Sequence, residues 1–226
     1  MVAAIFLFAL LLFIVGDLIL RKEDRTIYKT DKSRKTPIFL SPERALRKIA
    51  NETNRLYHLS HSWVVSAFEN HFYVGFDKFI PTIFPSDIKI KVIPKIDSYI
   101  QQGAKIWDIY FNGRKITQLA PISGMVVDIN PSCRMELNLP ADQVEKSWIV
   151  KMKAASYSNE SNNLMNHSQA TYLNNGLRDK LVLDAQHGNY LNDGGKIDPS
   201  YLVNMSDDEW NSFIEKFFPY SKSIND

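Results

Sequence analysis

Residues 103–130, GAKIWDIYFNGRKITQLAPISGMVVDIN, decide how this chain folds. Two alternating segments flank Asn112-Gly113. A two-residue type I′ turn needs positive φ at both central positions, and Asn-Gly meets that need well. The stretch therefore predicts a β-hairpin with its apex at Asn112 and Gly113. A second turn follows at Ala120-Pro121-Ile122-Ser123-Gly124, and another alternating strand, Met125 to Ile129, leaves it.

Upstream of the hairpin the same period of two recurs. Ser62 to Phe68 and Phe72 to Val74 read as strands around Glu69-Asn70-His71, and Ile88, Ile90 and Val92 alternate with Lys89 and Lys91. Gly75 to Phe84, which contains Pro81, reads as one or two helical turns. Downstream, Ser147 to Met152 supplies a further strand. Six or more short strands within ~90 residues predict a compact sandwich or flattened barrel.

The ends of the chain differ in character. Residues 2–20 are apolar apart from Gly16 and Asp17. At ~1.5 Å rise per residue they span ~28 Å, close to the ~30 Å hydrocarbon layer of a bilayer. This predicts a transmembrane helix at 1–20. Between Arg21 and Lys35, seven Lys or Arg stand against three acidic residues. By the positive-inside rule the N-terminus is then outside and the C-terminal domain cytoplasmic, behind a basic juxtamembrane linker at 21–40.

Ser41-Pro42 is a helix-start signal, and Leu46, Ile49, Ala50, Thr53, Leu56 and Tyr57 continue it at helical spacing. An amphipathic helix is expected over 41–58. Residues 154–205, rich in Asn, Ser and Gly, read as an irregular insertion, ordered only against a partner. Ser206 and Glu209 form a capping box for a last helix in 206–226, which Pro219 stops. Its aromatic face, Trp210, Phe213, Ile214 and Phe217, is a candidate partner-binding surface in addition to its packing role.

Composition narrows the function classes. A net charge of +2 with no basic stripe argues against nucleic acid as a partner. Cys133 is the only cysteine, so no intramolecular disulfide forms. His58 and His61 have no third ligand at useful spacing, which argues against a metal site. No Ser or Cys nucleophile stands beside a histidine and an orienting carboxylate, so no catalytic residues are assigned and the chain is read as a non-enzyme.

The order His61-Ser62-Trp63-Val64, Val74-Gly75-x-x-x-Phe79, Asp87-Ile88, Gly103, Ala120-Pro121-Ile122-Ser123-Gly124-Met125-Val126, Ile129-Asn130-Pro131 and Trp148-Ile149-Val150-Lys151-Met152 resembles the H protein of the glycine cleavage system. The resemblance covers residues 59–153. It implies a lipoyl-type barrel-sandwich, here mainly β with flanking helices (α+β) behind one transmembrane helix. Members of that family carry lipoate on a lysine eight residues before the proline of the second turn. In this sequence that place holds Gly113, and the nearest lysine is Lys115.

Three readings follow. The first is a membrane-anchored carrier fold without its attachment lysine, using no cofactor. It would act as a scaffold or accessory subunit among integral membrane complex subunits, with residues 2–20 in the lipid bilayer. The second is a membrane-tethered lipoate carrier modified at Lys115. The third is a periplasmic adaptor of the membrane-fusion type, which the two-residue hairpin tip and the charge flank disfavour.

Overall fold

The computed structural model describes residues 51–84, 87–136, 138–187, 191, 198 and 200–222. The expected transmembrane helix, the juxtamembrane linker and residues 41–50 of the expected amphipathic helix lie outside them. No helix among the described residues is long and apolar enough to cross a membrane.

A 3₁₀ turn at Glu52–Asn54, capped by the Asn51 side chain, opens the described chain. Strand β1 (Leu56–Tyr57) comes next. Over the described residues 51–58 this turn and strand stand where the α-helix was expected to continue. Leu56 and Tyr57 suit a helical stripe, but their backbone pairs with Val64 and Trp63, and tertiary pairing overrides local spacing here. Strands β2 (Ser62–Ser66) and β3 (His71–Phe76) form the expected first hairpin, and α1 (Phe79–Ile83) is the expected short helix. Then come β4 (Asp87–Val92), β5 (Tyr99–Ile100), β6 (Lys105–Phe111), β7 (Arg114–Leu119) and β8 (Gly124–Ile129). The chain continues through α2 (Pro131–Arg134), β9 (Asn138–Pro140), α3 (Ala141–Glu145) and β10 (Val150–Ala154).

Two antiparallel sheets result, ordered β1-β2-β3-β10-β8-β5 and β7-β6-β4-β9. Their inner faces enclose one core, in which Trp107, Phe76, Ile88, Ile106, Val126 and Met152 are fully buried. Each such side chain contributes ~1.5–3 kcal/mol by leaving water. Gly124 permits the tightest approach: a Cβ there would collide with the Lys153 carbonyl oxygen on β10. The second turn is held from outside, because Glu160 Oε2 accepts from the Ser123 N–H at 2.7 Å and Gln102 donates to the Pro121 carbonyl at 2.8 Å.

The segment 154–205 departs most from expectation. After α4 (Tyr157–Glu160) it forms a long helix, α5 (His167–His187), and later a turn of helix, α6 (Ser200–Val203). Asn166 and Gln169 bond reciprocally, each side-chain oxygen accepting the other's backbone N–H, and so cap the start of α5. Ala170, Leu181 and Ala185 bury one stripe of it, and Asn174 Nδ2 donates to Asp77 Oδ2 at 2.9 Å. Gly176 sits inside α5 with open space where a Cβ would be. Gly176→Ala is expected to raise stability by ~0.5–1 kcal/mol, read as a higher urea midpoint with unchanged slope. An unchanged or lower midpoint would contradict a helix there.

Helix α7 (Asp207–Phe217) has the full Ser206–Glu209 capping box, and α8 (Pro219–Lys222) follows it. Trp210, Phe213, Ile214 and Phe217 are only 8, 4, 9 and 1 % exposed. The face expected to meet a partner is therefore covered by this chain's own core. An amphipathic helix next to an open sandwich end buries its aromatic stripe there first.

Candidate functional site

The site that the sequence singles out is the β6–β7 hairpin. Asn112 and Gly113 have φ of 45° and 77°, as a type I′ turn demands, and Phe111 pairs with Arg114, Tyr110 with Lys115. The apex carries an exposed amide and a glycine. Lys115 lies on β7, one pair below the apex, on the same face as Asp108 and Thr117. Its Nζ is 3.8 Å from Asp108 Oδ2, and its side chain is 46 % exposed. Asp108 also accepts from Thr117 Oγ1 at 2.6 Å. Lys115 therefore leans back along its strand and does not project from the tip.

The other end of the chain holds the hairpin. Arg114 Nη1 donates to Asp207 Oδ1 at 2.7 Å and Nη2 to the Met205 carbonyl at 2.5 Å, while its guanidinium sits 5.4 Å from the Trp210 ring centroid. The Ser221 hydroxyl donates to the Thr117 carbonyl, tying α8 to β7. Asp207 is fully solvated, so that ion pair contributes little. The charge-assisted bond to the Met205 carbonyl is worth ~1.5–3 kcal/mol. Arg114→Ala is accordingly expected to speed hydrogen exchange across 111–115 roughly tenfold. Unchanged exchange would mean that α7 does not hold the tip.

At the opposite end of β7 a buried polar relay joins the two sheets. Trp107 Nε1 donates to Gln118 Oε1 at 2.5 Å, and Gln118 Nε2 donates to the Ser60 carbonyl at 2.9 Å. Ser62 Oγ donates to the Leu119 carbonyl at 2.8 Å. The Ser60 N–H donates to His58 Nδ1 at 3.1 Å. Burial, reinforced by His61, lowers the pKa of His58 to about 4. His61 adopts a left-handed φ of 65°, pairs with Asp77 at 3.1 Å, and packs between Phe79 and Phe218. Both histidines are thus tied into structural bonds. Burial pushes the Cys133 thiol up to about 11, which keeps it protonated and poorly nucleophilic. No cluster of three His, Cys, Asp or Glu among the described residues could hold a metal ion.

A sheet pair closed by this hairpin and an A-P-I-S-G turn can be set against known proteins. The family model described as glycine cleavage H-protein matches residues 55–175, more than half of the chain. This chain belongs to that family. A solved structure of a glycine cleavage system H protein from Mycobacterium marinum is similar, with 16% identity and a TM-score of 0.44, over 54% of this chain and 98% of that one. No curated protein matches.

H-proteins of this family carry lipoate. At the place expected for an attachment lysine from the eight-residue spacing to Pro121, this H-protein-like domain has Gly113, whose backbone conformation belongs to the turn itself. The residues present do not fit a lipoyl group at the apex. Lys115 is accessible but displaced to the strand. The sequence alone does not mark Arg114, Arg55, Glu145 or Asn174 as organising residues. Each acts through a partner 90 or more positions away, apart from any local pattern.

Proposed function

We propose that this chain is a non-catalytic, membrane-anchored H-protein-like domain that lacks a lipoyl attachment lysine. It acts as a scaffold or accessory subunit of an integral membrane complex. The apex carries the reading: a tight Asn112-Gly113 turn, clamped through Arg114 to the C-terminal helix, in place of a projecting lysine. Family members use the hairpin to move a tethered group, whereas this hairpin is built to stay still. Anchoring is supported by the apolar run at 2–20 and the basic flank after it. Purification of the full chain from native membranes in mild detergent is expected to bring integral membrane subunits with it in fixed ratio. Recovery of the chain alone from the soluble fraction would contradict this reading.

A second reading, lipoylation at Lys115, is favoured by one observation. That side chain is 46 % exposed and has only a long contact with Asp108.

A further inference from the structure

The outer surface of the six-stranded sheet is covered unevenly. Val65 and Trp63 on β2 lie beneath the start of α5, with Ala170 and Met165 packed on them. Strands β3, β10, β8 and β5 keep an open outer face. Across it run two cross-strand rows, Tyr99–Met125–Lys153–His71 and Asp128–Lys151–Tyr73. Tyr99 is 56 % and Met125 39 % exposed. Trp148 stands beside Tyr73, ring centroids 5.5 Å apart, and is half-buried. The Lys151 ammonium lies 4.9 Å from the Phe68 ring centroid and 5.8 Å from that of Tyr73.

The charge on this face is biased. Asp128, its central acid, is neutralised by Arg134 at 2.8 Å. Among the described residues neither Lys151 nor Lys153 makes an ion pair, although Asp128 lies across the strand from Lys151. The other acids nearby, Glu69 and Asp97, belong to the β2–β3 turn and the β4–β5 connection. Flat aromatic and thioether surface interleaved with lysine is the composition that meets a lipid headgroup layer, where rings sit at the interface and ammonium groups reach phosphate.

We infer that the open sheet face bearing Tyr73, Trp148, Lys151, Lys153, Met125 and Tyr99 rests on an anionic lipid surface. The inference rests on the membrane-anchored reading and adds to it a fixed orientation of the domain.

The test places the full chain in vesicles of phosphatidylcholine alone or mixed with phosphatidylglycerol, each with brominated acyl chains that quench tryptophan. Trp63 and Trp107 are fully buried and Trp210 nearly so, and Trp148→Phe assigns the remaining signal. Quenching assigned to Trp148 is expected in the mixed vesicles and not in pure phosphatidylcholine. Each lysine near an anionic surface is worth about fivefold in binding, so Lys151→Gln with Lys153→Gln should lower the docked-to-free ratio about 25-fold. A chain that floats with both vesicles while Trp148 stays unquenched overturns the inference and leaves the anchor intact. A chain that floats only with anionic vesicles and shows the quenching supports the inference and removes the anchor. Quenching that survives both lysine replacements overturns the inference. So does a Trp148 response to polyglutamate in solution with none to vesicles, which would assign the face to an acidic protein.

Discussion

Replacing Glu145 with alanine is expected to lower the unfolding free energy by ~3–5 kcal/mol. Arg55 Nη1 and Glu145 Oε1 are 2.9 Å apart, with side chains 2 % and 5 % exposed, and the guanidinium lies 4.2 Å from the Trp63 ring centroid. The alanine variant leaves a cation in the interior without this carboxylate, and the desolvation cost of that cation then falls on the folded state alone. For a domain whose total stability is ~5–15 kcal/mol, this is a third or more of what holds it together. Glu145→Leu combined with Arg55→Met removes both charges at similar volume, and is expected to restore most of the loss. Urea denaturation followed by tryptophan fluorescence measures both. A single-variant loss below ~1 kcal/mol would mean that water reaches the pair.

Acid is expected to destabilise the domain through His58 well before most carboxylates titrate. Its pKa is about 4 in the folded chain, chiefly through burial and then through His61, against about 6.5 when unfolded. Above pH 6.5 the ring is neutral in both states and contributes no pH dependence. As pH falls below 6.5 the unfolded chain takes up a proton that the folded chain refuses. The bond from the Ser60 N–H to Nδ1 requires a lone pair on that nitrogen, which agrees with a neutral folded ring. Stability therefore falls by ~1.4 kcal/mol per pH unit in this window, reaching ~2 kcal/mol at pH 5 and ~3 kcal/mol near pH 4. His58→Gln should flatten that part of the profile, so that the difference between variant and parent changes by ~2 kcal/mol from pH 7 to 5. Parallel profiles would contradict the assignment.

The elements that could be read from sequence are those fixed by near neighbours. Asn112-Gly113 specifies its turn by itself, and Ser206 with Glu209 caps α7 as their spacing implies. The alternation in β4 and β8 reports one buried and one wetter face, whereas β2 is buried on both because α5 covers its outer side. Helix α5 is hidden in the sequence because Asn174, Asn175 and Gly176 interrupt its stripe, and because Asn166 and Gln169 form a cap from residues that also mark loops. Leu56 and Tyr57 suit a helix by their spacing, and only the pairing with β2 decides otherwise. The aromatic surplus of α7 suits a docking surface as well as a core. It is a closing layer instead, since Trp210 lies against Arg114, and Phe217 and Phe218 against Phe79. At the candidate site the Asn112-Gly113 apex is legible in the sequence, but the clamp at Arg114 is not. It joins positions more than 90 apart, and nothing local announces it.

The central claim concerns what the hairpin carries, and the intact mass of the chain purified from its own cells tests it most directly. A covalently attached lipoyl group adds about 188 Da to the polypeptide. The account predicts the unmodified mass, in cells where other lipoyl proteins are fully modified. A species heavier by one lipoyl group, mapped by fragmentation to Lys115, would contradict it and make this hairpin a carrier arm after all.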